Sequence, residues 1–160
     1  MSQFTQKKKK VGREYVGVSV GVVLTDDDGR VVLTLRKPTT NNRAGKWMLP
    51  GGTVEFGDSV EYTVFKECME ETGLQVEHHG CVGVFQDFVE GQHWINFAHT
   101  AKLKSGNLLN GEPHKFEEVG WFDVSELPEN TAEISRKAID AHIKKEEGRI
   151  EQIKLHKVRE

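Results

Sequence analysis

Three glutamates stand close together near the middle of the chain, at Glu67, Glu70 and Glu71. If this stretch is helical, positions i, i+3 and i+4 share one face, so the three carboxylates converge within about one turn. Like charges at this spacing destabilise a helix by about 0.2–0.5 kcal/mol per pair. A hard divalent cation such as Mg²⁺ would neutralise them, because it binds carboxylate oxygens and carries phosphates with it. The alternative is a solvated acidic face with Lys66 nearby.

A helix over residues 59–72 is predicted from its boundary residues and from the absence of breakers within it. Asp58 or Ser59 can cap its start, and Gly73 is suited to end it. We expect this helix to bury the apolar side chains on its remaining arc, which are Val64, Phe65, Cys68 and Met69. Gly51 and Gly52 provide flexible backbone beside it, where a carbonyl could bind a metal and amides could approach a phosphate.

The elements around this helix are mostly strands. Residues 15–25 and 30–36 are rich in β-branched residues and predict two strands, joined by an Asp/Gly-rich hairpin turn at residues 26–29. Residues 37–46 are polar and predict a surface loop. Later in the chain we predict strands at 74–89, 93–104 and 119–124, and a second helix at 131–147. This order favours a mixed α/β sandwich over a regular βαβ series.

Composition and charge exclude several classes of protein. The 160 residues suffice for one domain, placed at 14–147, between a flexible Lys-rich leader at 1–13 and a charged tail at 148–160. With 22 Lys and Arg against 25 Asp and Glu, the net charge of −3 argues against a general nucleic-acid binder. No apolar run is long enough to span a membrane, and the two cysteines match neither a zinc site nor a disulfide framework. We therefore expect a cytoplasmic protein with reduced thiols.

The segment from Gly51 to Leu74 resembles the signature of the Nudix hydrolases, G-x5-E-x7-R-E-U-x-E-E-x-G-U, where U is aliphatic. The two align without insertion or deletion, with the leading glycine at Gly52 and the final one at Gly73. The likeness continues through GKWMLPGG before the segment and GWFDVSELP after it, and covers about residues 15–145. It implies an α/β fold of the Nudix type, an α-β-α sandwich with a mixed β-sheet and the catalytic helix at about 59–72.

Three residues depart from that signature. Asp58 is one methylene shorter than the usual glutamate, so its contact with the helix start or metal site must be rearranged. Lys66 replaces an arginine that in the family holds the catalytic glutamate, and lysine lacks the planar fork for bidentate binding. Cys68 replaces an aliphatic residue and can act as a small buried hydrophobe. None of these changes removes a metal-binding carboxylate, so we expect an active enzyme.

The resemblance implies four metal ligands for Mg²⁺ or Mn²⁺, namely the Gly51 carbonyl and the side chains of Glu67, Glu70 and Glu71. A further carboxylate would take a proton from the attacking water, and Glu67 itself is one candidate. Glu117 or Glu118 is another, because MutT-like relatives place an acid in the loop before the position of Trp121. The alternative for Glu117 and Glu118 is an exposed strand edge.

Three further residues are implied in substrate binding. Arg36, at the end of the second strand, matches a basic residue of MutT-like members and would contact phosphate, although it could also face solvent. Trp47 could stack on a base, but an aromatic residue at this place is more often part of the core. Gly52 would let the substrate approach the backbone closely.

The implied reaction is Mg²⁺-dependent hydrolysis of a nucleoside triphosphate, or a related nucleoside diphosphate derivative, to the monophosphate and pyrophosphate. Residues 88–92 hold neither the proline of ADP-ribose pyrophosphatases nor the tyrosine of dinucleoside polyphosphate hydrolases, so the MutT-like members, and with them nucleotide-pool sanitation, are favoured. A nucleotide sugar or coenzyme A conjugate as substrate, and a nucleotide sensor without turnover, stay open. The resemblance implies a small-molecule nucleotide partner and also allows a homodimer.

Overall fold

The computed structural model describes residues 9–146, which form seven strands and two helices. In chain order these are β1 (Gly17–Thr25), β2 (Val31–Arg36), β3 (Trp47–Met48), β4 (Gly51–Thr53), α1 (Val60–Thr72), β5 (Gln75–Val89), β6 (Gln92–Ser105), β7 (Phe116–Phe122) and α2 (Glu133–Glu146). The strands make one mixed sheet, in which β1 runs parallel to β6 and antiparallel to β4. The predicted tail and residues 1–8 of the predicted leader lie outside the described residues.

The two helices cover opposite faces of the sheet. Successive side chains of a strand point to opposite faces, and β1 therefore contributes to two separate hydrophobic clusters. On one face Val22 packs in a cluster with Val64 and Cys68 of α1, and on the other Val23 packs in a cluster with Ile139 of α2. The predicted α-β-α sandwich with a mixed sheet is confirmed.

Helix α1 begins and ends close to the predicted residues, and its caps explain why. The Ser59 hydroxyl accepts a hydrogen bond from the Tyr62 N–H at 3.0 Å, which satisfies one of the free donors of the first turn. Gly73 adopts the left-handed conformation with φ of 71°, and its N–H donates to the carbonyl of Met69. Both signals are local, which makes them readable from the sequence.

The predicted buried face of α1 is partly wrong. Val64 and Cys68 are fully buried as expected, but Phe65 and Met69 are 40% and 42% exposed. The buried residues of the helix are Thr63, Val64, Glu67, Cys68, Glu71 and Thr72. Two of the three glutamates thus lie on the inward side of the helix, where they face the sheet.

Other boundaries differ in smaller ways. β7 begins at Phe116, three residues before the predicted start, because Phe116 is buried and pairs with Arg36 across an irregularity in the ladder. The chain before β1 is also tied down, since the carbonyl of Gly12 accepts a hydrogen bond from the His93 N–H at 2.7 Å. Contacts to β6 therefore begin earlier than residue 14. Among the described residues no helix is both long and apolar enough to cross a membrane.

Candidate active site

A cavity of about 400 Å³ lies where β1, β2, β4 and α1 meet. Gly51 and Gly52 of β4 form part of its wall, and Arg36 projects into it from the end of β2. Six carboxylate side chains line it: Glu55, Glu67, Glu70, Glu71, Asp87 and Glu112. The structure therefore brings the three signature glutamates together with Arg36, and it adds acids that come from distant parts of the chain.

Glu71 is the most deeply buried of these acids, at 1% exposure. Its Oε1 accepts a hydrogen bond from Lys115 Nζ at 2.6 Å, and its Oε2 accepts one from the Gly51 N–H at 3.0 Å. Burial raises the pKa of Glu71 to about 7, although Lys115 and the Gly51 N–H oppose the rise by favouring the anion. Such a carboxylate is costly to keep charged without a cation beside it.

Glu67 lies against the backbone of β4. A Cβ placed on Gly52 would come within 2.5 Å of the Cδ and Oε1 atoms of Glu67, so the glycine leaves the space that the carboxylate occupies. Burial raises the pKa of Glu67, and the negative charge of Glu70 adds to this effect. Glu70, one turn further along and on the outer edge of the cavity, is exposed.

The loop between β6 and β7 places Lys115 and Glu112 in the cavity. Its Gly111 N–H donates to the carbonyl of Glu71, and a Cβ at residue 111 would overlap the carbonyl oxygen of Glu70. Asn110 Oδ1 accepts a hydrogen bond from the Glu112 N–H at 3.2 Å, and the Lys115 N–H donates to the Glu112 carbonyl at 2.8 Å. The loop is thus docked on the C-terminal end of α1 and turns Lys115 towards the glutamates.

Arg36 is half-buried beside the acids. Its Nε donates to the carbonyl of Asn42 at 3.0 Å, which ties the side chain to the loop after β2. Burial lowers the pKa of Arg36, while the nearby charge of Glu71 raises it. Of the two placements left open by the sequence, Arg36 lines the cavity and does not face open solvent.

That loop, predicted as a surface loop, also closes one side of the cavity. Arg43 adopts a positive φ of 49° and forms an ion pair with Asp87 of β5, and both side chains line the cavity. Asn42 and Gln92 are joined by a side-chain hydrogen bond of 3.3 Å. The predicted loop therefore has a fixed contact with the hairpin of β5 and β6.

The family follows from comparison with known proteins. A model of the NUDIX domain matches residues 16–142. The chain belongs to the Nudix family. It is 34% identical over 107 residues to a protein of Methanocaldococcus jannaschii named ADP-ribose pyrophosphatase, covering 66% of this chain and 61% of that protein. It is 30% identical over 109 residues to a protein of Danio rerio named oxidized purine nucleoside triphosphate hydrolase, covering 67% of both.

A solved structure supports the same conclusion for the fold. The crystal structure of a MutT NUDIX hydrolase from Burkholderia pseudomallei superposes with a TM-score of 0.74 and 32% identity, covering 80% of this chain and 98% of that one. Across the two relatives named above and three further curated ones, the chain spans between 31% and 70% of the relative's length.

The two acids predicted as candidate general bases, Glu117 and Glu118, lie away from the cavity. Glu117 and Glu118 are exposed on β7 and do not line the cavity, so the structure does not bring them to the signature glutamates. Glu112 lies there instead, with Lys115 between it and Glu71. The sequence NGEPHK carries a signal for this turn, because Asn110 can bond the backbone two residues on.

Trp47 belongs to the core rather than to the Nudix cavity. It is 7% exposed and packs edge-on against Phe122, with ring centroids 4.7 Å apart. It is absent from the cavity wall, to which its neighbours Met48 and Leu49 contribute. The assignment of Trp47 to substrate binding is therefore corrected to the core alternative.

A Nudix site is expected to hold a divalent cation, and the donors present fit one. Glu67, Glu70 and Glu71 offer hard carboxylate oxygens on one wall, and the buried Glu71 gains from any cation placed beside it. Within residues 9–146, however, no three His, Cys, Asp or Glu side chains are already gathered as a metal-binding group. The oxygens of Glu71 are bonded to Lys115 and Gly51 instead.

Proposed function

We propose that this protein hydrolyses a nucleoside triphosphate, or a related nucleoside diphosphate derivative, to the nucleoside monophosphate and pyrophosphate, with Mg²⁺ as cofactor and Mn²⁺ as a substitute. The observation that carries the proposal is the shared cavity. One wall presents Glu67, Glu70 and Glu71, and Arg36 and Lys115 face the same space. Carboxylates suit a divalent cation and the two basic groups suit phosphate oxygens.

In this reaction the basic side chains would bind phosphate, and an acidic one would accept the proton of the attacking water. Arg36 is a planar cation held at Nε by Asn42, so it can orient a phosphate with its remaining N–H groups. Glu67, with a pKa raised by burial, would accept the proton of the attacking water, and Glu112 is the second candidate for this role. The bound Mg²⁺ would supply charge neutralisation of the phosphoanhydride. Water adds to one of the two phosphorus atoms of the α,β-anhydride, and the P–O bond between them breaks. The α-phosphate remains in the nucleoside monophosphate, and the β- and γ-phosphates form pyrophosphate.

Relatives support a phosphoanhydride substrate but differ on its class. One bears the name of an oxidized purine nucleoside triphosphate hydrolase, and another that of an ADP-ribose pyrophosphatase. We favour the triphosphate, and with it sanitation of a cytoplasmic nucleotide pool, because residues 88–92 lack the proline typical of the second group.

The test is a substrate panel with Mg²⁺, comparing nucleoside triphosphates (oxidised ones included), ADP-ribose, nucleotide sugars and coenzyme A, with products resolved as pyrophosphate, orthophosphate or sugar phosphate. We expect pyrophosphate and monophosphate from a triphosphate. Glu70→Gln should lower kcat/KM by about 10²-fold or more, since it removes one carboxylate from the site. Glu61→Gln, an equal change of charge on the exposed side of α1, is the matched control and should retain activity.

Two results would contradict the proposal. Release of sugar phosphate alone would move the protein to the nucleotide-sugar class, and nucleotide binding without turnover would make it a sensor. Full activity in Glu70→Gln would refute the assignment of the active site to this glutamate cluster. The identity of the substrate would still be decided by the panel.

A further inference from the structure

The glutamates Glu67, Glu70, Glu71 and Glu112 form an acidic wall of the cavity, and Lys115 lies among them. The sequence alone does not identify Lys115 as a site residue. Its Nζ lies 2.6 Å from Glu71 Oε1 and 3.1 Å from Glu112 Oε2, so one ammonium group joins two carboxylates. The side chain of Glu71 is almost wholly buried, whereas that of Lys115 is 27% exposed. Lys115 therefore lies between the buried Glu71 and the cavity that both side chains line.

Backbone contacts hold the main chain of Lys115 beside the two acids. Lys115 follows the docked turn that begins at Asn110, and the Gly111 N–H is bonded to the carbonyl of Glu71 itself. The Lys115 carbonyl accepts a hydrogen bond from the Lys37 N–H at 3.0 Å, next to the place where β2 pairs with β7. The main chain of Lys115 is therefore held in place, which keeps its side chain within reach of both acids.

Lys115 also neutralises the acidic wall more strongly than the lysine at the basic position of the signature. Burial raises the pKa of Glu67, and the charge of Lys115 opposes this rise more than the charge of Lys66 does. For Lys115 itself, burial lowers the pKa, but the carboxylates of Glu71 and Glu112 outweigh burial and leave it above the usual value. The lysine is a charged partner of both acids.

We propose that the Lys115 ammonium is a resident counter-cation of the acidic wall, bound to Glu71 in the metal-free protein and displaced from it when a divalent cation binds. The inference rests on the metal site of the proposed function and deepens it. A divalent ion and an ammonium group cannot share the same Glu71 oxygen without like charges in contact. Once displaced, the ammonium still faces the cavity, where it can contact a phosphate oxygen.

Removing Lys115 should weaken the metal-free protein but favour the metal-bound one. Without metal, Lys115 stabilises the fold because it compensates a buried carboxylate, so its removal leaves an unpaired buried charge. With metal, Lys115 is a competitor, so its removal tightens metal binding. A purely structural lysine would instead stabilise both states by the same amount.

The experiment compares Lys115→Met with the wild-type protein, without nucleotide. We measure the Tm in EDTA and in saturating Mg²⁺, and the affinities for Mg²⁺ and Mn²⁺ by calorimetry. We expect a lower Tm in EDTA, a larger rise of Tm on adding Mg²⁺, and Mg²⁺ affinity increased about 5-fold or more. Lys115→Arg keeps the charge and should restore both the metal-free Tm and the wild-type affinity.

The matched control is Lys137→Met. Lys137 Nζ lies 2.7 Å from Glu133 Oε1, a comparable distance, but both side chains are exposed and outside the cavity. Its loss should change the Tm equally with and without Mg²⁺. Should Lys115→Met fail to fold in EDTA, Lys115→Gln keeps a hydrogen-bond donor without the charge and is measured in the same way.

Equal Tm losses in EDTA and Mg²⁺, or Mg²⁺ affinity that is unchanged or weaker in Lys115→Met, would overturn the proposal. These readouts separate it from the proposed function. A wild-type protein that does not bind Mg²⁺ would overturn both. Tighter Mg²⁺ binding in Lys115→Met together with no hydrolysis of any nucleotide by the wild type would support the counter-cation and refute the hydrolase.

Discussion

Replacing Gly52 by alanine is expected to slow hydrolysis while leaving the fold nearly intact. The added Cβ would lie 2.5 Å from the Cδ and Oε1 atoms of Glu67. The backbone at Gly52 has no positive φ, so alanine introduces no strain of its own there. The atoms it meets belong to the far end of a flexible side chain, so we expect the Glu67 carboxylate to move and strand β4 to stay in place.

The size of the effect follows from that distance. Carbon atoms in ordinary contact are about 3.5–4.0 Å apart, so the carboxylate must shift by about 1 Å. A side chain displaced from its preferred rotamer costs about 0.5–1.5 kcal/mol, a small part of the stability of a domain. A misplacement of about 1 Å at a reacting group can lower the rate about 10²-fold. Gly52→Ala should therefore lower kcat strongly while changing the free energy of unfolding only slightly.

The assay measures kcat at saturating Mg²⁺ and the free energy of unfolding in urea, for Gly52→Ala, Glu67→Gln and the double variant. If the alanine acts through Glu67, the double variant should be no slower than Glu67→Gln alone. Gly111→Ala is the contrasting variant, because its Cβ would overlap a backbone oxygen of Glu70 and should lower the stability itself. Unchanged kcat in Gly52→Ala, or losses that multiply in the double variant, would refute this reasoning.

Two further predictions concern the thiols and the histidines. In the folded protein a thiol reagent should modify the exposed Cys81 quickly and the fully buried Cys68 only on unfolding. The reagent cannot reach Cys68, and burial raises the pKa of its thiol. Rapid modification of both thiols would contradict the burial of Cys68. Burial and the neighbouring His78 lower the pKa of His99, with Glu61 opposing them, so the unfolded chain binds this proton first. The resulting stabilisation is complete above the unfolded pKa of about 6.5 and is lost as the pH falls towards the lower pKa of the folded protein. His99→Gln should therefore weaken the pH dependence of the free energy of unfolding in urea over that range. An unchanged slope would contradict this prediction.

Much of the fold could be predicted because its signals are local. Ser59 and Gly73 mark the ends of α1 through contacts within four residues of themselves, and the turn at residues 26–29 is encoded in its own composition. The sequence predicts a start of β7 at residue 119, whereas the strand begins at Phe116, because Phe116 pairs with Arg36 from a distant part of the chain. Pairing of that kind leaves no local pattern.

The site shows the same limit more clearly. The Nudix signature is contiguous, so Glu67, Glu70 and Glu71 could be recognised from the resemblance of a single stretch of sequence. The partners that make burial of Glu71 tolerable lie 20 and 44 residues away, at Gly51 and Lys115, and no spacing rule connects them. For the same reason the sequence points to Glu117 or Glu118, whereas the acid that the loop between β6 and β7 brings into the cavity is Glu112.

The orientation of α1 links stability to function in this Nudix protein. A surface helix normally turns its apolar residues inward and its charges to the solvent. Here Phe65 and Met69 are substantially exposed while Glu67 and Glu71 are buried, so the helix gives up apolar burial to hold carboxylates against the sheet. Such an arrangement persists only if cations and N–H groups compensate the acids. Metal-free stability should therefore depend on Lys115 and the β4 backbone, and any divalent ion that binds this wall must also stabilise the fold.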